Sequence, residues 1–333
     1  MPYTVNMSFK QFRENYVDLD ADDVATARRS RDYLQGQIAN VASKDSTFPI
    51  LYGGYKPFGS FARSTKVRPL NDIDMLVLLN GKDTASSWDS GYIYNIKVNN
   101  TNSILWQYTN QNDNYLNSTR ILNKFKSALA NVPNYRKADI KRNGVAVVLD
   151  LTSYSWVFDI VPAFPVSDGN EGTDYYLIPN GSGKWTRTDP RRDQKNITDA
   201  NKYHNNNLIP LIRLIKYWNE RSHSPPTIPS YYLETMLING LRYSTPITSI
   251  KESIPSAFRQ LSSQVLSSCP DPKSLGPNLD ADISWDTKKK VSEAAATMAK
   301  YANYALDYEK KEDHKNAIMW WGYIFPGFPA YGS

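Results

Sequence analysis

The chain has 333 residues, 41% hydrophobic and 22% charged, long enough for one large domain or two packed ones and too apolar to be disordered. Its 39 Lys and Arg outnumber 33 Asp and Glu, and the formal charge of +6 suits polyphosphate substrates or, equally, an ordinary basic surface. The lone Cys269 excludes an internal disulfide and a Cys-rich zinc site; with no apolar leader and no run of about 18 apolar residues, the chain reads as cytosolic.

Residues 21 to 43 predict a long amphipathic helix, with Val24, Ala27, Leu34, Ile38 and Val41 near one face. Asp18, Asp20, Asp22 and Asp23 supply negative charge at its positive end. Residues 73 to 79 form an almost continuous apolar run typical of a buried strand. A helix is expected over 115 to 131, then strands over 145 to 151 and 156 to 164 joined as a hairpin. The sequons at Asn117 and Asn196 read as plain local chemistry in a chain that is not exported. From about residue 196 the character turns helical, with helices over 208 to 222 and 228 to 243, the second carrying Ser230 near its start. Residues 267 to 282 are rich in Pro, Gly and Asp and predict a surface loop. Residues 285 to 319 predict a long helical region, and the tail from Phe328 to Ser333 is expected to be exposed and frayed. His204, His223 and His314 show no metal-ligand spacing. The aromatic share of 13% serves core packing, and would also suit a site that stacks planar bases.

The segment that carries chemistry is Gly59-Ser60 followed, after a short spacer, by Asp72-Ile73-Asp74. On a strand the side chains alternate, so Asp72 and Asp74 share one face while Ile73 and Met75 point into the opposite layer. Two neighbouring carboxylates repel, and an oxygen-seeking divalent cation offsets their charge; Mg²⁺ typically takes one or two carboxylates plus substrate phosphates. Asp159, flanked by apolar residues, is costly unless paired or metal-bound and is the third candidate ligand. Asp150 has a similar claim. Asp159 is preferred because Pro162 is expected to end its strand soon afterwards, leaving the carboxylate near an edge where a cleft can form. Alone, an Asp-x-Asp pair or a Gly-Ser dipeptide usually belongs to a turn. Their conjunction with an apolar strand and a later buried Asp favours metal-dependent phosphate chemistry. Gly59 would let backbone approach a phosphate, and Ser60 would open a helix with free N–H groups. Such a site also requires Lys and Arg to reach the cleft, because a triphosphate and three carboxylates outweigh two Mg²⁺ ions.

The order Gly-Ser, spacer, Asp-x-Asp and later Asp resembles the nucleotidyltransferase superfamily that includes DNA polymerase β. More narrowly, FGSFARSTKVRPLNDIDMLVLL (58–79), FDIVPAF (158–164), LIRLIKYWN (211–219), IPSYYLE (228–234) and AIMWWGYIFPGFP (317–329) make the chain similar to the bacterial cyclic-oligonucleotide synthases (CD-NTases). These are relatives of animal cyclic GMP-AMP synthase and oligoadenylate synthetase. The resemblance implies an α+β fold: a polymerase β-like core with a mixed sheet over 1–195, packed on a helical oligoadenylate-synthetase-like domain over 196–333 and braced by the long N-terminal helix. It implies Asp72, Asp74 and Asp159 as catalytic ligands of two Mg²⁺ ions, with Mn²⁺ as an alternative, and Gly59 and Ser60 as the phosphate-binding turn. By the same matching, Lys216 and Ser230 would contact the donor triphosphate and Tyr231 would stack on its base. The helical wheel places Lys216 on an exposed face with Arg213 and Glu220. It does not say whether Tyr231 or Tyr232 meets the cleft.

The implied activity is a cyclic di- or oligonucleotide second messenger made from ribonucleoside triphosphates (ATP and/or GTP, UTP or CTP), in bacterial antiviral signalling through a separate effector. The tail is a candidate site for a regulatory partner; no membrane and no obligate DNA are expected. The competing readings are a nucleotidyltransferase acting on RNA ends or small molecules, and a non-catalytic nucleotide or RNA sensor.

Overall fold

The computed structural model describes residues 3–110, 112–167, 172 and 174–332. In chain order its elements are α1 (Val5–Phe12), α2 (Ala21–Lys44), β1 (Leu51–Pro57), α3 (Gly59–Ala62), β2 (Asp72–Leu79), β3 (Thr84–Ser90), β4 (Ile93–Val98), α4 (Ser118–Ala130), β5 (Asp139–Asn143), β6 (Ala146–Asp150) and β7 (Val157–Val166). There follow β8 (Tyr175–Pro179), β9 (Trp185–Thr188), α5 (Pro190–Tyr203), α6 (Leu208–Arg221), α7 (Ser230–Leu241), α8 (Ile250–Gln264), α9 (Trp285–Lys310) and α10 (His314–Ile324). Among the described residues the nine strands form one mixed sheet in the order β1-β2-β7-β8-β9-β4-β3, with β6 also on β7 and β5 on β6. The fold is α+β as expected.

Strand alternation divides the sheet. Ile73, Met75, Val77 and Leu79 of β2 and Phe158 and Ile160 of β7 point into a core covered by α2 and α4. Leu76, Leu78, Val161 and Ala163 point the other way, against Tyr176 and Ile178. Asp72, Asp74 and Asp159 have the parity of this second face. The long helix α2 begins where Asp20 accepts the N–H groups of Asp22 and Asp23, and it buries Ala27, Leu34 and Ile38 on the sheet.

A separate helical core joins α6 to α10, and the N-terminal residues Val5, Phe9, Phe12 and Val17 belong to it. Bracing is thus shared: α1 packs on the C-terminal helices and α2 on the sheet. Along α9, Ala295, Ala299, Ala302 and Ala305 are buried, the small side chains letting neighbouring helices approach closely.

Four expectations need correction. Pro162 does not end its strand; β7 runs on to Val166. The residue falls where the neighbour on one side changes from β6, which pairs as far as Ile160, to β8, which begins at Phe164, so a missing N–H costs little there. The stretch 267 to 282 is a loop but not a superficial one: Cys269, Asp271 and Leu275 are buried. The C-terminal helical region is broken between α9 and α10, where Glu312 adopts a positive φ. The tail is not frayed as far as it is described. Phe328 is buried, with its ring 5.0 Å from Phe9 and 5.1 Å from Phe12, and Tyr331 meets Tyr3 edge-on at 5.5 Å. Ser333 lies outside the described residues.

Candidate active site

β2 and β7 run parallel with Asp74 directly opposite Asp159, and Asp72 opposite Val157. Two carboxylates thus stand side by side across adjacent strands, and the third lies two residues away on the same face. The consequence is electrostatic. Burial, then the charges of Asp72 and Asp159, push the Asp74 carboxyl up to about 6. Burial and Asp72 raise Asp159 as well, and Lys66 opposes the rise at both. Asp150 stands on β6, one strand further from β2, opposite Val157.

The Gly-Ser turn lies directly against this face. Gly59 has φ +70°, and a Cβ placed on it would fall 1.8 Å from Asp74 Oδ2. Glycine is required here twice over, for the left-handed backbone and for the close approach to the carboxylate. The helix expected from Ser60 lasts only one turn, Gly59–Ala62, and the Ser60 carbonyl then accepts the Thr65 N–H at 3.0 Å.

Above the carboxylates opens a cleft of about 500 Å³ between the sheet and helices α6 and α7. Its lining includes Ser60, Asp72, Asp74, Lys216, Ser230 and Tyr231, six of the eight residues expected from the sequence. Gly59 and Asp159 are outside the lining, beneath and beside Asp74. Arg63, Lys66, Arg68, Lys216 and Arg221 also line it, so the basic side chains that phosphate chemistry requires do reach the cleft.

No protein-family model matches the chain. A probable cyclic nucleotide synthase of Bacillus cereus (strain VD146) is 36% identical over 334 residues, covering 99% of each chain. The chain belongs to the bacterial cyclic-oligonucleotide synthases, the CD-NTases. It is a nucleotidyltransferase. A cyclic AMP-AMP-AMP synthase of Acinetobacter sp. (strain ATCC 27244 / 9458) is 25% identical over 64% of this chain and 61% of its own. The solved structure of Escherichia coli MS115-1 CdnC with ATP shares the fold at a TM-score of 0.72 and 18% identity, over 99% of this chain and 100% of that one. Among the described residues no helix is long and apolar enough to cross a membrane.

The main correction to the site concerns Lys216. It is not on an exposed face: it is 2% exposed, and its Nζ donates to Glu234 Oε1 at 2.7 Å and to the Thr65 carbonyl at 2.8 Å. A helical wheel shows one helix, whereas α7 packs over that side of α6 and brings Glu234 to meet the ammonium. Glu234 also accepts from Arg63 Nε at 3.1 Å and from Thr65 Oγ1 at 2.9 Å. Burial would raise its pKa, but Arg63 and Lys216 outweigh burial and hold the carboxyl below its ordinary value. Of the other two residues on that face, Arg213 pairs with Asp18 at 3.2 Å and Glu220 is exposed at the cleft.

Tyr231 and not Tyr232 meets the cleft. The Tyr232 ring is buried in the helical core with its hydroxyl on the Val265 carbonyl. The Tyr231 hydroxyl donates to Asp193 Oδ1 at 2.5 Å and accepts from Lys273 Nζ at 2.7 Å, while the Arg63 guanidinium lies 5.0 Å from its ring centroid. Burial, then Asp193, raises the Tyr231 pKa, so the hydroxyl stays protonated and serves as a fixed donor. Ser230 lines the cleft at the first residue of α7.

Sequence reasoning missed Arg63, Lys66, Asp193, Glu234 and Lys273. Arg63 and Lys66 lie inside the motif FGSFARSTK, where only the Gly-Ser was read; Asp193 and Lys273 carry no local signal.

Three aspartates are hard oxygen donors of the kind that hold Mg²⁺ or Mn²⁺. The register gathers them on one face, and the raised pKa values of Asp74 and Asp159 mark a place that favours an added positive charge. In this conformation Lys66 Nζ sits on Asp72, and among the described residues no three His, Cys, Asp or Glu side chains converge closely enough to hold an ion. The backbone placement therefore fits a divalent cation, provided the carboxylates turn toward a common point.

Proposed function

We propose that the synthase joins ribonucleoside triphosphates in a divalent-metal-dependent reaction and closes the product into a ring, as the signal-making arm of a bacterial antiviral response. The observation that carries the chemistry is the parallel register that sets Asp74 beside Asp159, with Asp72 on the same face, at the floor of a cleft lined by basic side chains. Asp72, Asp74 and Asp159 would hold Mg²⁺ or Mn²⁺, and the bound ions would neutralise the triphosphate and lower the pKa of an acceptor hydroxyl. The donor triphosphate would lie over Ser60, within reach of Arg63, Lys66 and Ser230. Tyr231 would carry the donor base, its ring held in one orientation by Asp193 and Lys273. Lys216 acts from beneath, anchoring Glu234 and the Thr65 backbone so that the turn after Ser60 keeps its shape. Attack of a ribose hydroxyl on the α-phosphorus expels pyrophosphate, and the fixed positive side chains stabilise the charge that develops.

The likeness to CdnC with ATP and to a cyclic AMP-AMP-AMP synthase supports ATP as one substrate. The test is incubation of the purified chain with Mg²⁺ or Mn²⁺ and the four ribonucleoside triphosphates, then phosphatase treatment and mass spectrometry. A phosphatase-resistant product that is lost with Asp72→Asn/Asp74→Asn is expected. A linear or RNA-linked product would overturn ring closure, and none in either metal would overturn the catalytic reading of the purified chain.

A further inference from the structure

The basic residues of the cleft differ in what they hold. Arg63 and Lys216 are tied to Glu234, and Arg68 donates to the Asp18 carbonyl at 2.9 Å. Lys66 is bound to the aspartate face itself: its Nζ is paired with Asp72 Oδ1, with only 13% of its side chain exposed. It is also the first basic charge acting on Asp74, ahead of Arg63, and it acts on Asp159 as well. One ammonium therefore answers three carboxylates.

The backbone on either side of it is fixed. Thr65 is fully buried and bonded to Glu234, and Val67 is packed into the helical core. What can move is the unbranched stem of Lys66, which can swing its charge between a carboxylate and a nearby anion without moving the chain. A divalent ion approaching Asp72 meets a carboxylate already paired. It can take that carboxylate only if the ammonium leaves, and an ammonium leaving into a largely buried position needs a new partner. The cleft offers one when a triphosphate occupies it.

We propose that Lys66 is a tethered counter-ion: it occupies Asp72 in the resting synthase, competes there with the divalent cation, and transfers to the triphosphate when nucleotide binds. Ion and nucleotide then favour each other's binding through one side chain, a coupling that is reciprocal. The inference rests on the metal-dependent reading given above.

The test compares wild type, Lys66→Met and Lys66→Arg in the full chain. Mn²⁺ binding without nucleotide is followed by electron paramagnetic resonance, and the KM for ATP is measured at saturating Mg²⁺. Lys66→Met is expected to bind Mn²⁺ about tenfold more tightly than wild type and to raise the KM by about tenfold, the two shifts having opposite sense. Lys66→Arg, which keeps the charge, should lie near wild type in both, and unchanged melting temperatures confirm that the variants fold. Weakening of both ligands in Lys66→Met would mean a structural role and overturn the idea. A raised KM with unchanged Mn²⁺ affinity would reduce Lys66 to a phosphate contact, and tighter Mn²⁺ with unchanged KM would reduce it to a resting pair. Either outcome overturns the exchange while leaving the metal-dependent synthase intact. Absence of Mn²⁺ binding by wild type and variants, with and without ATP, would overturn both readings together.

Discussion

Two groups of charge face the same cleft with opposite results. Glu234 is buried more deeply than Asp74, yet Lys216, Arg63 and Thr65 all donate to it within 3.1 Å, and its carboxyl stays ionised below the usual range. Asp74 has two carboxylates for neighbours, and its carboxyl is driven up to about 6. Burial acts in the same direction at both, so the partners decide the outcome. The Glu234 cluster is a finished structure that pins α7 to α6 and to the turn after Ser60. The aspartate cluster is held in an unfavourable state that an incoming cation would relieve, which is what a reactive site requires.

The contrast can be broken most severely at the aspartates. Asp74→Asn should lower turnover by on the order of a thousandfold or more without lowering the melting temperature, measured by product formation and thermal unfolding. A parallel loss of fold would show that Asp74 is a structural partner like Glu234. Glu234→Gln should act first on the fold, costing about 3–5 kcal/mol of stability because Lys216 and Arg63 are left buried and uncompensated. Denaturant unfolding measures this, and a loss below about 1 kcal/mol would mean that the network adds nothing.

Gly59→Ala tests the contact between the turn and the triad. The left-handed backbone costs about 1–2 kcal/mol, and the new methyl must displace the Asp74 carboxylate. A larger loss of activity than of stability is expected, and wild-type turnover in this variant would refute the close approach.

The smallest effect is the most discriminating. The folded pKa of Asp74 is raised, so the folded state binds more protons than the unfolded state, and stability falls as pH rises from about 4 through about 6. In EDTA, Asp74→Asn should therefore become more stable than wild type across that interval, by about 1–3 kcal/mol at neutral pH, and match it below pH of about 4. Glu234 has the opposite sign: its contribution is complete above the ordinary Glu pKa and is lost as pH falls through the depressed folded value. A flat difference between wild type and Asp74→Asn from pH 4 to 8 would contradict the strained carboxylate.

Much of the site was legible because it is written in one stretch of chain. Gly59, Ser60, Asp72 and Asp74 lie within 16 residues, and the alternation of β2 requires the two aspartates to share a face. The strand and helix boundaries followed from runs such as residues 73 to 79 and 208 to 222. Lys216 was misplaced because its burial depends on α7, whose Glu234 is 18 residues away. Pro162 was misread because its strand changes neighbours at that point, which no local pattern records.

By itself, then, the sequence determined which residues could do chemistry and which face of each strand or helix they share, since those follow from periodicity and side-chain type. Only the tertiary structure decided the charge balance. The parallel register of β2 and β7 set Asp159 against Asp74, Lys66 reached Asp72, and α6 and α7 closed Lys216 onto Glu234. Electrostatic energy depends on distances through space and on how much water is excluded, and both are settled only when separate elements pack.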